Sequence, residues 1–367
     1  MSTNLKLAEY IWLDGTEPVQ KIRSKGRVVS FSGKTPKIED FPEWSFDGSS
    51  TNQATGIDSD CILKPVNFVL DPIRGDGNFL VMCEVFNPDG KNPHKSNSRA
   101  QLRAVLDAGG DKFEPWAGFE QEYTFFKRNI PLGWPEHGFP APQGPYYCGV
   151  GSEQIFGRDL AEDHAQACIE AGLLYYGINA EVMPGQWEFQ IGYRGIAGED
   201  AGVLNAADHM WIARWLMHRL SEDYDIHVSL DNKPIKGDWN GAGMHTNFST
   251  NETRDKKKGR DAINQAVERL SRKHDKHIPH YGDKLHERLT GHHETSSIHE
   301  FSAGTADRGR SIRIPQMVEL KGYGYLEDRR PGANSDPYLV AARITATVCD
   351  IDEAIFTHVW PKKSKAA

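Results

Sequence analysis

The stretch GFEQEYT, residues 118–124, predicts a strand with two acids on one face. Side chains at alternate positions of an extended chain leave the same side of a sheet, so Glu120 and Glu122 point together. The aromatic residues between and after them point the opposite way. Such a pair belongs either on a solvated sheet face or around a cation. The pair alone favours solvent, so the decision depends on the other strands.

Three further strand-like regions repeat this alternation of apolar residues with side chains that can bind a metal. Each acid taken singly is explained as an exposed strand residue, but the repetition favours a shared metal site. Hard divalent cations such as Mg²⁺ or Mn²⁺ prefer carboxylate oxygens with an occasional imidazole. If the strands share one sheet, the six groups are enough for two or three ions. They are Glu120, Glu122, Glu181, Glu188, His245 and Glu327.

Residues 308–330 form a cationic segment within an acidic chain, and they include Arg308, Arg313 and Arg329. This segment fits a solvated surface with ion pairs as well as it fits an anion site. Beside a multi-cation site it favours phosphoryl transfer, where metals and guanidinium groups neutralise phosphate oxygens. The segment SGKT at 32–35 resembles the end of a P-loop, but its spacing from Gly26 is wrong, and the match is interpreted as coincidence.

Composition narrows the class of protein. The chain has 367 residues, 38% of them hydrophobic, which predicts a globular protein; the length favours two domains over one large domain. Its formal charge of −8 argues against binding of nucleic acid or of an anionic membrane. The five cysteines are scattered, and we expect free thiols. Without a leader or a long apolar run, the sequence predicts a cytoplasmic protein.

The distribution of turn residues predicts an α+β fold. Residues 5–86 hold short β-rich runs, and the Pro, Gly and Asn cluster at 87–97 follows them. We therefore place a domain boundary near residue 100, giving domains 1–100 and 101–367. Strands alternate with helices in the second domain. The predicted helices cover 158–177, 201–220, 260–274, and a last segment that begins with Pro337 and runs to residue 356.

Two loops are candidate ligand-binding or metal-binding sites. DWNGAG at 238–243 has two glycines that let backbone amides approach a carboxylate, although the segment by itself favours a simple turn before the next strand. Seven histidines lie within 274–299, but their spacings match no tetrahedral zinc motif. The nearby Gly, Ser and Thr residues favour a mobile loop there rather than a zinc site.

The ordered set of motifs resembles the glutamine synthetase family, specifically the shorter type found in eukaryotes and some bacteria. The resemblance covers nearly the whole chain. The motifs are FDGSS, GFEQEYT, NAEVMPGQWEFQIG, WNGAGMHTNFST, RLTGHHETS, DRGRSIRIP and GYGYLEDRRPGANSDP.

This resemblance implies an N-terminal β-grasp domain and a C-terminal catalytic domain with a curved antiparallel sheet flanked by helices. It implies active sites between subunits of a homo-oligomer, in two stacked rings of five. The implied reaction is ATP-dependent: the γ-carboxylate of L-glutamate is phosphorylated, and ammonia then displaces phosphate to give glutamine. The implied cofactor is Mg²⁺ or Mn²⁺, two to three ions per site.

The resemblance also implies roles for individual residues. Glu122, Glu181 and Glu188 resemble ligands of the metal nearer glutamate, while Glu120, His245 and Glu327 resemble ligands of the metal at the ATP phosphates. Asp47 resembles the acid that binds ammonium and takes its proton, and Glu294 resembles the residue of a closing flap. Glutamate would contact Trp239, Asn240, Gly241, Arg288, Arg308 and Arg329; ATP would contact Trp116, Glu120, Glu188, Asn247, Ser249, Arg308, Arg313 and Tyr325.

One departure from the family pattern concerns length. The segment between Glu188 and His245 is several residues longer than expected, near residues 194–211. The extra residues are expected to alter either the contacts between subunits or the regulation of the enzyme. Two other functions remain open: an enzyme of this fold that uses larger amines or guanidino groups, and a member without activity that serves assembly. FDGSS and HHETS favour ammonia, and the six metal-binding side chains favour activity.

Overall fold

The computed structural model describes residues 4–31 and 36–356, and the SGKT segment lies outside them. Two sheets organise the chain, and the helices pack mainly against the second. The strands are β1 (Asn4–Leu13), β2 (Ile22–Phe31), β3 (Trp44–Asp47), β4 (Asp60–Leu70), β5 (Phe79–Phe86), β6 (Trp116–Lys127), β7 (Ile130–Pro131), β8 (Tyr175–Ala180), β9 (Gln186–Ile191), β10 (His227–Ser229), β11 (Met244–Ser249), β12 (Ala303–Thr305), β13 (Ile312–Ile314) and β14 (Leu326–Asp328).

The first sheet has the strand order β2-β1-β5-β4-β3, in which β1 and β5 run parallel and the other pairs are antiparallel. Alternation along β1 separates two apolar faces. Tyr10 and Trp12 pack into the sheet's own core, whereas Ile11 and Leu13 belong to the larger core of the second domain. Because both faces are apolar, the sheet is fixed against the rest of the chain.

The second sheet carries the polar strands predicted above. Its order is β12-β13-β14-β11-β6-β9-β8, and β7 and β10 also pair with β6. All neighbours are antiparallel except β12 and β13. The α+β prediction is confirmed, while the boundary near residue 100 stays a prediction.

The helices are α1 (Ser98–Asp107), α2 (Arg158–Glu170), α3 (Val203–Asp223), α4 (Gly259–Arg272), α5 (His274–His277), α6 (Gln316–Lys321) and α7 (Pro337–Val348). Every residue of α7 is buried, as expected for a helix that is apolar on all sides. The Asp336 carboxylate accepts from the Tyr338 amide at its N-terminus, and Pro337 takes the first position. Among the described residues, none of the helices has the length and apolar character needed to span a bilayer.

Two predicted helices are shorter than expected. The helix predicted over 158–177 ends at Glu170, because Gly172 adopts a left-handed conformation with φ of 79°. Tyr175 then begins β8, where its ring stacks on that of Phe189. The last helix ends at Val348 rather than running to residue 356. In both cases the apolar pattern continues beyond the helix into other buried structure.

The mobile loop predicted for the histidine-rich segment is wrong for its first part. His274 and His277 lie in α5 and are buried. The His277 ring contacts the hydroxyls of Tyr281, at 2.5 Å, and Thr347, at 2.8 Å. These histidines therefore have structural hydrogen bonds. No metal-ligating group that the described residues form includes a histidine from 274–299.

Candidate active site

Strand register brings the predicted metal-binding groups together. In the antiparallel pairing of β6 with β11, Glu120 lies opposite His245. In the pairing of β6 with β9, Glu122 lies opposite Glu188. Side chains directly opposite each other on one face are neighbours. The two acids of GFEQEYT therefore face partners on both sides of their strand, an arrangement that fits the cation interpretation better than a solvated sheet face.

Two groups of ligand atoms result. The first consists of Glu122, Glu181 and Glu188, and the second of Glu120, Glu188 and His245. Within each group the ligand atoms all lie within 4.8 Å of one another, and Glu188 belongs to both. Four of the five different residues lie on strands, as the alternation predicted. Glu181 is the exception in placement, because it lies in the turn between β8 and β9 rather than on a strand.

Glu327 lies beside these groups but has its own cationic partners. Its carboxylate is 2.6 Å from the guanidinium groups of Arg313 and of Arg329. One of its oxygens is also 3.8 Å from the Nδ1 atom of His245. Glu327 is 1% exposed, so these contacts compensate a buried charge.

Burial gives the carboxylates unusual protonation behaviour. Burial raises the pKa of Glu120, of Glu122 and of Glu188. Burial and the neighbouring Glu122 carboxylate raise the pKa of Glu181 to about 8. Like charges so close together disfavour ionisation. A divalent cation would remove that repulsion, so the donor set fits a hard metal ion.

The pKa of His245 is shifted in the opposite direction to those of the carboxylates. Burial, together with the charges of Arg329 and Arg288, holds the pKa of His245 well below its usual range. The imidazole is therefore neutral at pH 7, the form in which a ring nitrogen can bind a metal. Its Nε2 atom is 2.9 Å from the Arg288 guanidinium, and its Nδ1 atom is 3.4 Å from Glu120.

A cavity of about 600 Å³ opens above these groups. Both carboxylates and guanidinium groups line it, so it presents both signs of charge. Glu294 reaches the Arg308 guanidinium at 3.8 Å across it. The predicted residues in its lining are Glu120, Glu122, Glu181, Glu188, Asn240, Gly241, His245, Arg288, Glu294, Arg308, Arg313, Glu327 and Arg329.

A second cavity of about 420 Å³ adjoins the first and shares Glu120 and Gln190 with it. Aromatic rings dominate its lining, with a few hydrogen-bonding groups among them. Asn247 donates to the Glu120 carboxylate at 2.8 Å, which links the two spaces. The residues predicted to contact ATP in this lining are Trp116, Glu120, Asn247, Ser249 and Tyr325.

Two predicted residues do not line either cavity. Asp47 ends β3 of the first sheet, where its exposed carboxylate accepts from the Ser49 amide and from the hydroxyls of Ser49 and Ser50. The Ser49 and Ser50 hydrogen bonds lower the pKa of Asp47. Trp239 packs on Trp134, with ring centroids 4.7 Å apart.

Sequence reasoning missed residues that hold the loops around the larger cavity. Gln143 accepts from the Asn240 amide at 2.6 Å and contacts His293 Nδ1 at 3.3 Å. His293 also lies 3.0 Å from Asp238. Gln143 belongs to an irregular segment without periodicity, so no sequence pattern marked it. His293 lies within the motif HHETS, which was the one available signal for it.

Comparison with known proteins gives one consistent family. Residues 4–88 match the model of the glutamine synthetase beta-Grasp domain, and residues 95–274 match the model of the glutamine synthetase catalytic domain. A glutamine synthetase of Streptomyces viridochromogenes is 53% identical over 93% of this chain and 96% of its own length. A chloroplastic glutamine synthetase of Chlamydomonas reinhardtii is 54% identical over 93% and 90%. A glutamine synthetase of Saccharomyces cerevisiae is 50% identical over 98% and 93%.

Proposed function

The chain belongs to the glutamine synthetase family, and we propose that its carboxylate cavity is where glutamate, ammonium and ATP meet. It is a glutamate–ammonia ligase, which makes glutamine from glutamate and ammonia with ATP. The observation that supports this location is the convergence of six metal-competent groups and four guanidinium groups around one cavity. Phosphoryl transfer needs bound cations and guanidinium groups together, because both neutralise the charge on the phosphate oxygens.

We assign the metal ligands to two sets. Glu122, Glu181 and Glu188 would hold one divalent cation, and Glu120 and His245 would hold a second with Glu188 or Glu327. Bound Mg²⁺ or Mn²⁺ would neutralise phosphate oxygens and orient the carboxylate of glutamate. Oxygen-rich donors suit both ions, so the choice between them is left to experiment.

The guanidinium groups would bind the anionic substrates. Arg313 and Arg329 hold Glu327 at 2.6 Å, so they are already oriented toward the ligand cluster. Arg308 and Arg313 would contact phosphate, since a guanidinium forms paired hydrogen bonds to phosphate oxygens. Arg288 and Arg329 would hold glutamate, with Trp239, Asn240 and Gly241 at its α-carboxylate end.

The reaction would proceed in two steps. A γ-carboxylate oxygen of glutamate attacks the terminal phosphorus of ATP, and ADP leaves. Ammonium gives a proton to the Asp47 carboxylate, and the resulting ammonia attacks the acyl carbon and expels phosphate. Glu294 would close the cavity, because an acyl phosphate hydrolyses when water reaches it.

We place the enzyme in the cytoplasm as a homo-oligomer of two pentameric rings. The five cysteines, which are all free thiols, support a reducing compartment. Asp47 lies away from the cavity of its own chain, which supports a site shared with a neighbouring subunit.

The test is a synthesis assay with glutamate, ammonium, ATP and either Mg²⁺ or Mn²⁺. Glutamine and phosphate are expected in equal amounts only when all components are present. Oxygen-18 placed in the γ-carboxylate is expected in the released phosphate. Label retained entirely in glutamine would exclude the acyl phosphate. Turnover with a polyamine instead of ammonium would point to a different amine substrate.

A further inference from the structure

Gln121 lies between the two acids of GFEQEYT, but its side chain points away from them. Strand alternation sends Glu120 and Glu122 to one face of the sheet and Gln121 to the other. Gln121 is 0% exposed, and on that face it meets helix α3. A buried amide needs hydrogen-bond partners, and the partners of this one connect it to other parts of the active site.

Arg214 of α3 is the first of these partners. Its Nε atom donates to the Gln121 side-chain oxygen at 2.9 Å, and its Nη2 atom donates to the same oxygen. The Gln121 side-chain nitrogen donates to the main-chain carbonyls of Glu122, at 2.8 Å, and of Ala333, at 3.0 Å. Arg214 also donates to the Ala333 carbonyl at 3.0 Å and to the Ser335 carbonyl at 2.9 Å. Gln121 and Arg214 thus join β6, α3 and the segment that follows β14 in one network.

The same segment supports the loop 238–243, where we place glutamate. The Ala333 amide donates to the Ala242 carbonyl at 3.1 Å. The Glu122 amide donates to the Gly243 carbonyl at 2.9 Å, and the Gly243 amide donates to the Glu122 carboxylate. The network therefore lies directly behind the point where a metal-binding strand and the proposed glutamate loop are joined.

The charge of Arg214 has no direct counterion. Among residues 4–31 and 36–356, its guanidinium contacts an amide oxygen, two main-chain carbonyls and the sulfur of Met244, but no carboxylate. Burial lowers the pKa of Arg214 to about 9, although the charge of Asp336 opposes this shift. A well-packed apolar residue would avoid the cost of burying this charge. Stability alone is therefore a poor reason for the pair, whereas the rigid guanidinium fork fixes the directions of its hydrogen bonds.

We propose that Gln121 and Arg214 are positioning residues, which hold Glu122 and the loop 238–243 in the geometry that the metal ion and glutamate require. This inference rests on the proposed function, which places both ligands there. Neither side chain lines the larger cavity, so their effect reaches the site through the backbone of Glu122 and through Ala333. Indirect partners of a metal site typically change metal affinity by about 10–100-fold.

The experiment measures the Kd for Mn²⁺ by calorimetry and the free energy of unfolding by urea in the presence of EDTA. Gln121→Met and Arg214→Met each remove the hydrogen bonds of the network and keep an unbranched side chain. Each is expected to raise the Kd about tenfold. The double variant is expected to raise it no further than the larger single effect, because both residues act through one network. Arg214→Lys keeps the charge but loses the fork, and it is expected to raise the Kd less than Arg214→Met does.

Arg99→Met is the matched control for a loss of stability alone. Arg99 is also a buried arginine, and its partners Glu84 and Asp208 do not line the larger cavity. Arg99→Met is expected to destabilise the chain and to leave the Kd for Mn²⁺ unchanged. An unchanged Kd in the Gln121 and Arg214 variants, losses that multiply in the double variant, or an equal loss in Arg99→Met would overturn the positioning role. If the unaltered enzyme binds Mn²⁺ but makes no glutamine, the proposed function fails, while these affinities still decide the role of the pair.

Discussion

Glu188 is the residue on which both ligand groups depend, because it contributes to each of them. Replacing it by Gln removes a charge while keeping the shape of the side chain. Glu188→Gln is expected to lower the affinity for Mn²⁺ by more than about tenfold, since even indirect partners of a metal site contribute that much. Titration of the purified enzyme with Mn²⁺ in a calorimeter measures the change.

The control for this prediction is Glu162→Gln, which changes an exposed acid of α2 that does not line the cavity. It is expected to bind Mn²⁺ as the unaltered enzyme does. Unchanged Mn²⁺ affinity in Glu188→Gln would mean that this carboxylate is not a metal ligand.

At the scale of elements, a neutral histidine attaches α3 to the connection between α2 and β8. The Leu174 amide donates to the Nδ1 atom of His209 at 3.0 Å, and His209 is 7% exposed. Burial lowers the pKa of His209 to about 4, although the carboxylates of Asp208 and Asp200 oppose this shift. Protonation of Nδ1 would break the hydrogen bond to Leu174.

This geometry predicts how stability depends on pH. Above about pH 6.5 His209 is neutral in both states and has no effect. Between pH 6.5 and 4 the unfolded chain binds a proton that the folded chain does not, so the free energy of unfolding falls with falling pH. The expected contribution is about 1.4 kcal/mol per pH unit. Urea unfolding at a series of pH values measures it.

His209→Asn supplies the comparison, because the Asn oxygen accepts the same hydrogen bond without titrating. Its stability is expected to fall less steeply between pH 6.5 and 4 than that of the unaltered chain. Parallel pH profiles for the two proteins would contradict the prediction.

A buried ion-pair network joins the first sheet to the helices. The Arg99 guanidinium, at the start of α1, binds Asp208 of α3 at 2.7 Å and Glu84 of β5 at 2.7 Å. Arg99→Met leaves both carboxylates without this partner in a buried setting. The expected loss is about 3–5 kcal/mol of unfolding free energy, measured from the urea midpoint.

Arg103→Met is the matched control, since Arg103 binds the same Glu84 carboxylate at 2.6 Å but its side chain is 42% exposed. Its expected loss is below about 1 kcal/mol. Similar losses in the two variants would show that burial of the Arg99 pairs is unimportant.

At the scale of the whole molecule, Asp47 tests whether the site is shared between chains. Asp47→Ala is expected to lose ammonia-dependent synthesis while retaining ATP binding, because this carboxylate acts only on ammonium. Unchanged synthesis would remove Asp47 from the mechanism. The measurements are glutamine formation and nucleotide calorimetry on the same preparation.

Co-expression of Asp47→Ala with Glu188→Gln then distinguishes a shared site from a site within one chain. Each variant alone is expected to be inactive. If Asp47 serves a neighbouring subunit, random mixing restores both intact residues in about a quarter of the sites. A site built within one chain would recover nothing, because every chain carries one defect.

The sequence by itself indicated which side chains share one face of their strand. Strand alternation around Glu120, Glu188 and His245 placed acids and an imidazole opposite buried rings, because the period of a strand is fixed by backbone geometry. The distribution of turn residues predicted the α+β fold, and Pro337 marked the start of the last helix. Periodicity is a local property, so it can be recognised without knowing what packs where.

Only the tertiary structure decided which strands are neighbours and where helices end. Pairing of β6 with both β9 and β11 created the two ligand groups, and no local pattern specifies that register. Glu181 lies in a turn beside the site. Tyr175, which was predicted to be helical, is the first residue of β8. Gln143 and Tyr193 line the cavities from irregular segments. Contacts between residues distant in sequence determine these features, so local periodicity does not reveal them.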